Sequence, residues 1–141
     1  MTLDWSIVWE YREDLLHGVL LTIALTVITM IVAIPGGIIL AMMRLSRSRI
    51  LSTISLCFVE LFRNLPLILV VYWAFYVMPI VLGIQIAAFE TGLIALCLNV
   101  SAYNGETFRA GINSIREGQV NAGLALGMSR WQVMREIVIP Q

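Results

Sequence analysis

GVLLTIALTVITMIVAIPGGIILAMM, from Gly18 to Met43, contains no charged residue, and its reading decides the fold. As an α-helix at 1.5 Å per residue its 26 residues extend about 39 Å, more than the ~30 Å hydrocarbon layer of a bilayer. A first spanning helix over 18–43 is therefore expected. Pro35, Gly36 and Gly37 fall inside it and predict either a kink or a close helix contact, because neighbouring helices can satisfy a carbonyl freed by proline.

The remainder of the chain suits the same solvent. Of 141 residues, 60% are hydrophobic and only 13% charged, a balance foreign to water-soluble domains of this size. At roughly 20 apolar residues per crossing, the length leaves room for about three spans. All 9 basic residues are Arg, so the chain has no GxxxxGK[ST] phosphate loop, no Schiff-base lysine and no lysine general base. Any ATP hydrolysis must then occur in another chain. Cys57 and Cys97 lie in apolar runs distant from His17, which points to buried thiols rather than a metal or disulfide site. The first 17 residues carry four acids against Arg12 and lack the basic start of a cleaved signal peptide, so the first apolar run is expected to remain as an anchor.

Beyond Met43, RLSRSR crowds Arg44, Arg47 and Arg49 against the helix end. By the positive-inside rule that end is cytoplasmic and the N-terminal tail, 1–17, is outside. From Ile50 to Met78 the apolar stretch is too long for one straight crossing and is interrupted by ELFRNLP. It divides into an interfacial helix, 50–62, and a second span, 65–83, with Pro66 as a favourable first-turn residue. VLGIQIAAFE lacks basic residues and suits an outer loop. A third span, 91–108, then returns to the cytoplasm, where Arg109, Arg116, Arg130 and Arg135 follow.

Glu60 with Arg63, and Glu106 with Arg109, have the spacing of side chains that share a helix face. Each pair lies near the expected cytoplasmic boundary. One reading is that an Arg snorkels there beside a neutralising acid; the other is that the charges pack between helices and latch a gate. Asn99, Tyr103 and Glu106 share a face of the third span. That face either lines a route for a hydrophilic substrate or hydrogen-bonds to neighbouring helices.

The closing segment, GQVNAGLALGMSRWQVMREIVIPQ, reads as helix, turn, helix. Ser114 with Glu117 and Ser129 with Gln132 have capping-box spacing. They predict helices over 115–126, stopped by Gly127, and 131–139, ended by Pro140. The outline matches a DNA-binding helix-turn-helix in a membrane-anchored regulator, yet two Arg against one Glu in the second helix is no basic footprint. No nucleic-acid partner is therefore expected. Alternatively the pair docks on a cytoplasmic partner: Ala122, Gly123, Ala125 and Gly127 permit close backbone approach, and Leu124, Leu126 and Met128 offer groove-filling side chains. A hairpin resting on the bilayer, in a structural subunit without transport role, satisfies the same pattern.

Asn121-Ala122-Gly123, three residues, Gly127, nine residues, then Ile137-Val138-Ile139-Pro140 resembles the EAA loop of binding-protein-dependent ABC importer permeases. ELFRNLPLILV, AYNGETFRAGI and the closing IPQ are similar to the polar amino acid branch, and the similarity covers nearly the whole chain. The resemblance implies an all-α integral inner-membrane protein of the type-I ABC importer permease (MetI-like) fold, with three transmembrane helices and a cytoplasmic coupling loop over 114–141. It implies that Asn121, Ala122, Gly123, Gly127 and Pro140 belong to that loop. It likewise implies that Arg63, Pro66 and Arg109 are framework residues; the gate reading of the charge pairs adds Glu60 and Glu106, and the polar face leaves Asn99 and Tyr103 as the pathway candidates. Its implied partners are cytoplasmic ABC ATPase subunits, a second permease subunit, an extracytoplasmic amino-acid-binding protein and the lipid bilayer, with no cofactor and no enzymatic role in this chain. Asn121 replaces the loop's usual Glu and Gly123 its second Ala, a variant shared with some permeases for glutamate or aspartate. Family members continue through further spanning helices after Pro-Gln, so the chain is expected to be an N-terminal portion, with those C-terminal helices absent.

Overall fold

In a computed structural model, describing residues 6–83 and 86–141, the chain is helical throughout its ordered elements. A short helix, α1, covers Ser6–Glu10, and α2 covers Arg12–Arg44. Helix α3 spans Arg49–Asn64 and α4 spans Leu67–Leu82. Helix α5 covers Ala88–Ser114, α6 covers Glu117–Ala125, and α7 runs Arg130–Val133 and widens into a π-helical turn over Met134–Val138.

The expected first span lies inside α2, which begins six residues earlier than its charge-free core, at Arg12. Charged residues such as Arg12 and Glu13 are good helix formers and continue the helix beyond the apolar layer. The described part of the expected N-terminal tail is helical apart from a turn at Tyr11; residues 1–5 lie outside the described residues. Among the described residues, helix α2 alone has the length and apolarity of a membrane span, and α3 with α4 pass the same test as a bent pair. Helix α5 is long enough, but its polar residues keep it below that apolarity. Its expected bounds, 91–108, widen to Ala88–Ser114. The connector after Gly83 includes residues outside the described set.

The distribution of side chains inverts that of a water-soluble bundle. Buried positions are held by small or polar residues: Thr29, Ala33, Gly37 and Ala41 on α2, and Thr91, Ala95, Asn99, Ala102 and Gly105 on α5. Leu, Ile and aromatic side chains point outward, among them Ile31, Ile68 and Ile80. In a bilayer, burying such side chains gains little because lipid tails are equally apolar; close backbone approach and interhelical hydrogen bonds hold the helices instead.

Residues 29, 33, 37 and 41 recur every four positions, so they form one stripe along α2. The stripe meets α5 so closely that a Cβ on Gly36 would lie 2.7 Å from Ser101 Oγ, and one on Gly37 would lie 2.5 Å from Asn104 Cβ. Of the two expectations at Pro35-Gly36-Gly37, the close helix contact is realised, within one uninterrupted helix. Contacts advance in the same direction on both partners, from Gly36 with Ser101 to Leu40 with Gly105, so α2 and α5 run parallel.

Helix α3 is strongly amphipathic and buries Ser55 and Val59. It doubles back from the Arg44 turn: Ser52 Oγ donates to the Arg44 carbonyl at 3.2 Å and Ser55 Oγ to the Leu40 carbonyl at 2.8 Å. At Leu65-Pro66 the path bends by 105° into α4, where the interruption in ELFRNLP predicts a division. Pro66 occupies the position just before α4 rather than inside its first turn. Along α4 a π-helical turn, Trp73–Val77, interrupts the regular winding. Val70 and Ala74 pack there on Ala95 of α5. The cysteines are unpaired, and Cys57 is exposed on α3 rather than buried, because it lies on the face opposite Ser55 and Val59.

Candidate functional site: a braced helix break and a hinged hairpin

Two groups of predicted site residues are assembled. The first surrounds the break between α3 and α4. In a helix, the Phe62 carbonyl would accept from the N–H of residue 66, but Pro66 has none. Asn99 Nδ2 of α5 supplies the missing donor, at 2.8 Å from the Phe62 carbonyl. One residue on, Tyr103 OH donates to the Arg63 carbonyl at 3.3 Å. The unfulfilled carbonyls of a helix end are thereby capped from another helix. Of the two readings of the polar face, hydrogen bonding to a neighbour is the one these two polar groups satisfy. Asn99 is 7% exposed, whereas the Tyr103 ring keeps an open face.

Substituting Asn99 with Leu should leave the Phe62 carbonyl without a donor inside an apolar setting, at a cost of about 1–3 kcal/mol. Unfolding in mixed micelles, followed by circular dichroism, checks this. Asn99→Asp should fare no better, because a carboxylate adds an acceptor where a donor is required.

Near the same break, the two acid–arginine pairs behave differently. Glu106 and Arg109 form a two-pronged ion pair, with Arg109 Nε donating to Oε2 at 2.9 Å and the second bond joining Nη2 to Oε1. The expected partner of Glu60 is Arg63, but Glu60 accepts from Asn64 Nδ2 at 2.9 Å instead. Arg63 turns toward α5 and lies 5.5 Å above the Tyr103 ring. Shared helix spacing allows a Glu60–Arg63 contact without enforcing it; the Tyr103 ring of α5 offers the guanidinium an attractive π face instead.

The second group is the terminal hairpin. Ser114 does not cap the following helix. Its backbone still belongs to α5, and its hydroxyl donates to the Gly111 carbonyl at 2.7 Å; Arg116 precedes α6 without a side-chain cap. The second expected cap is present in full: Ser129 N donates to Gln132 Oε1 at 2.7 Å, and Gln132 N to Ser129 Oγ at 3.3 Å. Between the helices, Met128 N donates to the Gly123 carbonyl at 3.1 Å and Gly127 N to the Leu124 carbonyl at 3.0 Å. This is a Schellman turn, which places its reversing residue in the left-handed region. Gly127, at φ +82°, is that residue.

The small residues of the hairpin divide in their use. Gly123 is buried, and a Cβ there would meet Ile137 Cδ1 at 2.8 Å and Val133 Cγ2 at 3.0 Å. Its smallness seats α7 against α6 within the chain, not a partner against the chain. Asn121 and Ala122 remain exposed, as do Leu126, at 84%, and Trp131, at 70%. Met128 is drawn inward over Gly123. Pro140 lies beyond the π-helical turn, at the exposed end of the chain. An open groove of about 470 Å³ separates the hairpin from the end of α5, bordered by Ile112, Ile115, Val120, Leu124 and Met134.

Comparison with known proteins places this geometry. Residues 33–141 match the family described as binding-protein-dependent transport system inner membrane component. The glutamate/aspartate import permease protein GltK of Escherichia coli O6:H1 is 36% identical over 145 residues, spanning 98% of this chain and 65% of that protein. The arginine transport system permease protein ArtQ of Bacillus subtilis is 34% identical, spanning 100% of this chain and 64% of that one. A crystal structure of an amino acid ABC transporter with histidines superposes with a TM-score of 0.88 at 30% identity, across 100% of this chain and 65% of the solved one. The chain thus spans about 65% of the length of these relatives.

Proposed function

This chain belongs to the family of binding-protein-dependent transport system inner membrane components, and from that premise we propose that it forms part of the membrane pathway of an ABC importer for polar amino acids. In this reading α2, α4 and α5 cross the membrane, and the arginines after α2 and after Phe108 support an outside N-terminus and a cytoplasmic hairpin. A separate ATPase docks on the hairpin, a second permease subunit completes the pathway, and an extracytoplasmic binding protein delivers the amino acid.

The observation that carries this reading is the hairpin. Its turn is fixed by Gly127, its two helices are fastened through Gly123, and Leu126 and Trp131 project from it without cover. A rigid element bearing exposed apolar anchors is suited to transmit movement to a partner that contacts it differently in two states. The DNA-binding alternative gains nothing from the structure, since Arg135 is engaged with Glu136 at 3.5 Å and no basic face is assembled on α7.

For cargo, the Asn-Ala-Gly variant at 121–123 supports an acidic amino acid, as does similarity to a glutamate/aspartate permease. Nearly equal identity to an arginine permease keeps the class at polar amino acids. The test is uptake into proteoliposomes holding this permease with its ATPase and binding protein, assayed with glutamate, aspartate, glutamine and arginine. ATP-dependent accumulation of at least one is expected, and none accumulating would overturn the proposal.

A further inference from the structure

The ends of α2 and α3 bring more positive charge to α5 than the chain neutralises. Arg63 lies over Tyr103, one turn before Glu106, and Arg44 lies one turn beyond Leu40, which packs on Gly105, but both Glu106 oxygens are engaged by Arg109. Glu60 is occupied by Asn64. Among the described residues, neither Arg44 nor Arg63 makes an ion pair, and Arg44 Nη1 and Arg63 Nε are buried without any hydrogen-bond partner. Two guanidinium groups thus sit in a partly enclosed place with no carboxylate of the described residues in contact with them. Buried charged donors left unpaired are costly, so the arrangement calls for another anion.

The surroundings narrow what that anion is. Arg44 closes the charge-free run of α2 and is followed by Arg47 and Arg49. Beside this basic turn lie the exposed apolar side chains of Met42, Leu45 and Ile50. A cationic recess flanked by apolar surface at the end of a spanning helix fits an amphiphile with an anionic head, as basic recesses between helices do on the cytoplasmic side of membranes. A free ion would use the charges and leave the apolar flank idle.

We propose that Arg44 and Arg63, beside the Glu106–Arg109 pair, hold the phosphate headgroup of an anionic phospholipid of the cytoplasmic leaflet. The lipid neutralises the excess charge and fastens the α2–α3 turn to α5. This assignment needs the chain to lie in a bilayer but does not depend on what it transports, so lipid retention and amino acid uptake fail independently.

The experiment equilibrates the purified chain with vesicles of phosphatidylglycerol or of phosphatidylcholine and counts retained lipid by native mass spectrometry. Phosphatidylglycerol should be retained over phosphatidylcholine by about tenfold or more, given the surface attraction of each arginine for an anionic lipid. The Arg44→Gln/Arg63→Gln double variant should lose that preference, while Arg47→Gln, at an exposed position outside the cluster, should keep most of it. Excess inorganic phosphate should not displace the lipid. Equal retention of the two lipids by the unmodified chain overturns the proposal even if the double variant fails to fold. Full displacement by phosphate, or an unchanged preference in a folded double variant, overturns it as well.

Discussion

Replacing Gly37 with alanine is expected to destabilise the chain by about 2 kcal/mol, although in an isolated helix the same change would stabilise by roughly 0.5–1 kcal/mol. The sign is set by α5. An added Cβ would lie 2.5 Å from Asn104 Cβ and 3.1 Å from both the Asn104 carbonyl carbon and the Gly105 nitrogen. Two of those neighbours are backbone atoms, which no rotamer change can move, so the helices themselves must part. Separation weakens the bond from Asn104 Nδ2 to the Ala33 carbonyl, already long at 3.4 Å. It also opens the contact between Leu40 and Gly105. With no hydrophobic force between helices in lipid to compensate, the loss is felt in full. Gly92 and Gly111, on α5, have open space where a Cβ would go, and their alanine variants should be neutral or slightly stabilising. Reversible unfolding in mixed micelles compares the three variants. A Gly37→Ala protein as stable as Gly92→Ala would show that α2 and α5 are not in the contact described. Gly37→Ile should be worse still, since its branches would enter α5.

The same contact shows which features were legible in the residues alone. A charge-free run of sufficient length announces a span without reference to anything else, whereas Pro35-Gly36-Gly37 inside it left a kink and a close approach equally open until α5 decided between them. The division at ELFRNLP was legible because proline cannot continue a helix on the terms of its predecessors. What braces that division was not, since the donor that replaces the Pro66 N–H is Asn99, thirty-seven residues from Phe62. Helix spacing gave Glu60 and Arg63 the opportunity to pair, but Tyr103 and Asn64 decided where each went. Local capping rules succeeded at Ser129 and failed at Ser114 for one reason. At Ser129 the backbone had left the preceding helix and the side chain was free to cap, whereas at Ser114 the preceding helix had not ended. The polar end of α5, beyond Phe108, carried no apolar period from which its extension could be read.

Changes at three hairpin positions should separate the hairpin's folding from its docking. Leu126→Asp is expected to leave the fold intact, because this side chain is 84% exposed and lies outside the Gly123 contact. If Leu126 anchors the ATPase, placing a charge there should weaken copurification by about thirtyfold, the loss of an interface residue worth about 2 kcal/mol. Gly123→Val acts by the opposite route. Its side chain would collide with Ile137 and Val133, detaching α7 from α6, so that ATPase binding falls together with hairpin order. Gly127→Val adds no collision, since nothing lies within 4 Å of its Cβ position; it penalises the left-handed turn itself by about 1–2 kcal/mol, whereas Gly127→Asn should be milder. Limited proteolysis reads hairpin order, and copurification with the ATPase followed by uptake reads docking. Order should be lost for Gly123→Val, reduced for Gly127→Val and retained for Leu126→Asp, while docking should fall in all three. Retained docking and uptake in both Leu126→Asp and Gly127→Val would remove the hairpin from the coupling path, because one change spoils its exposed surface and the other its geometry.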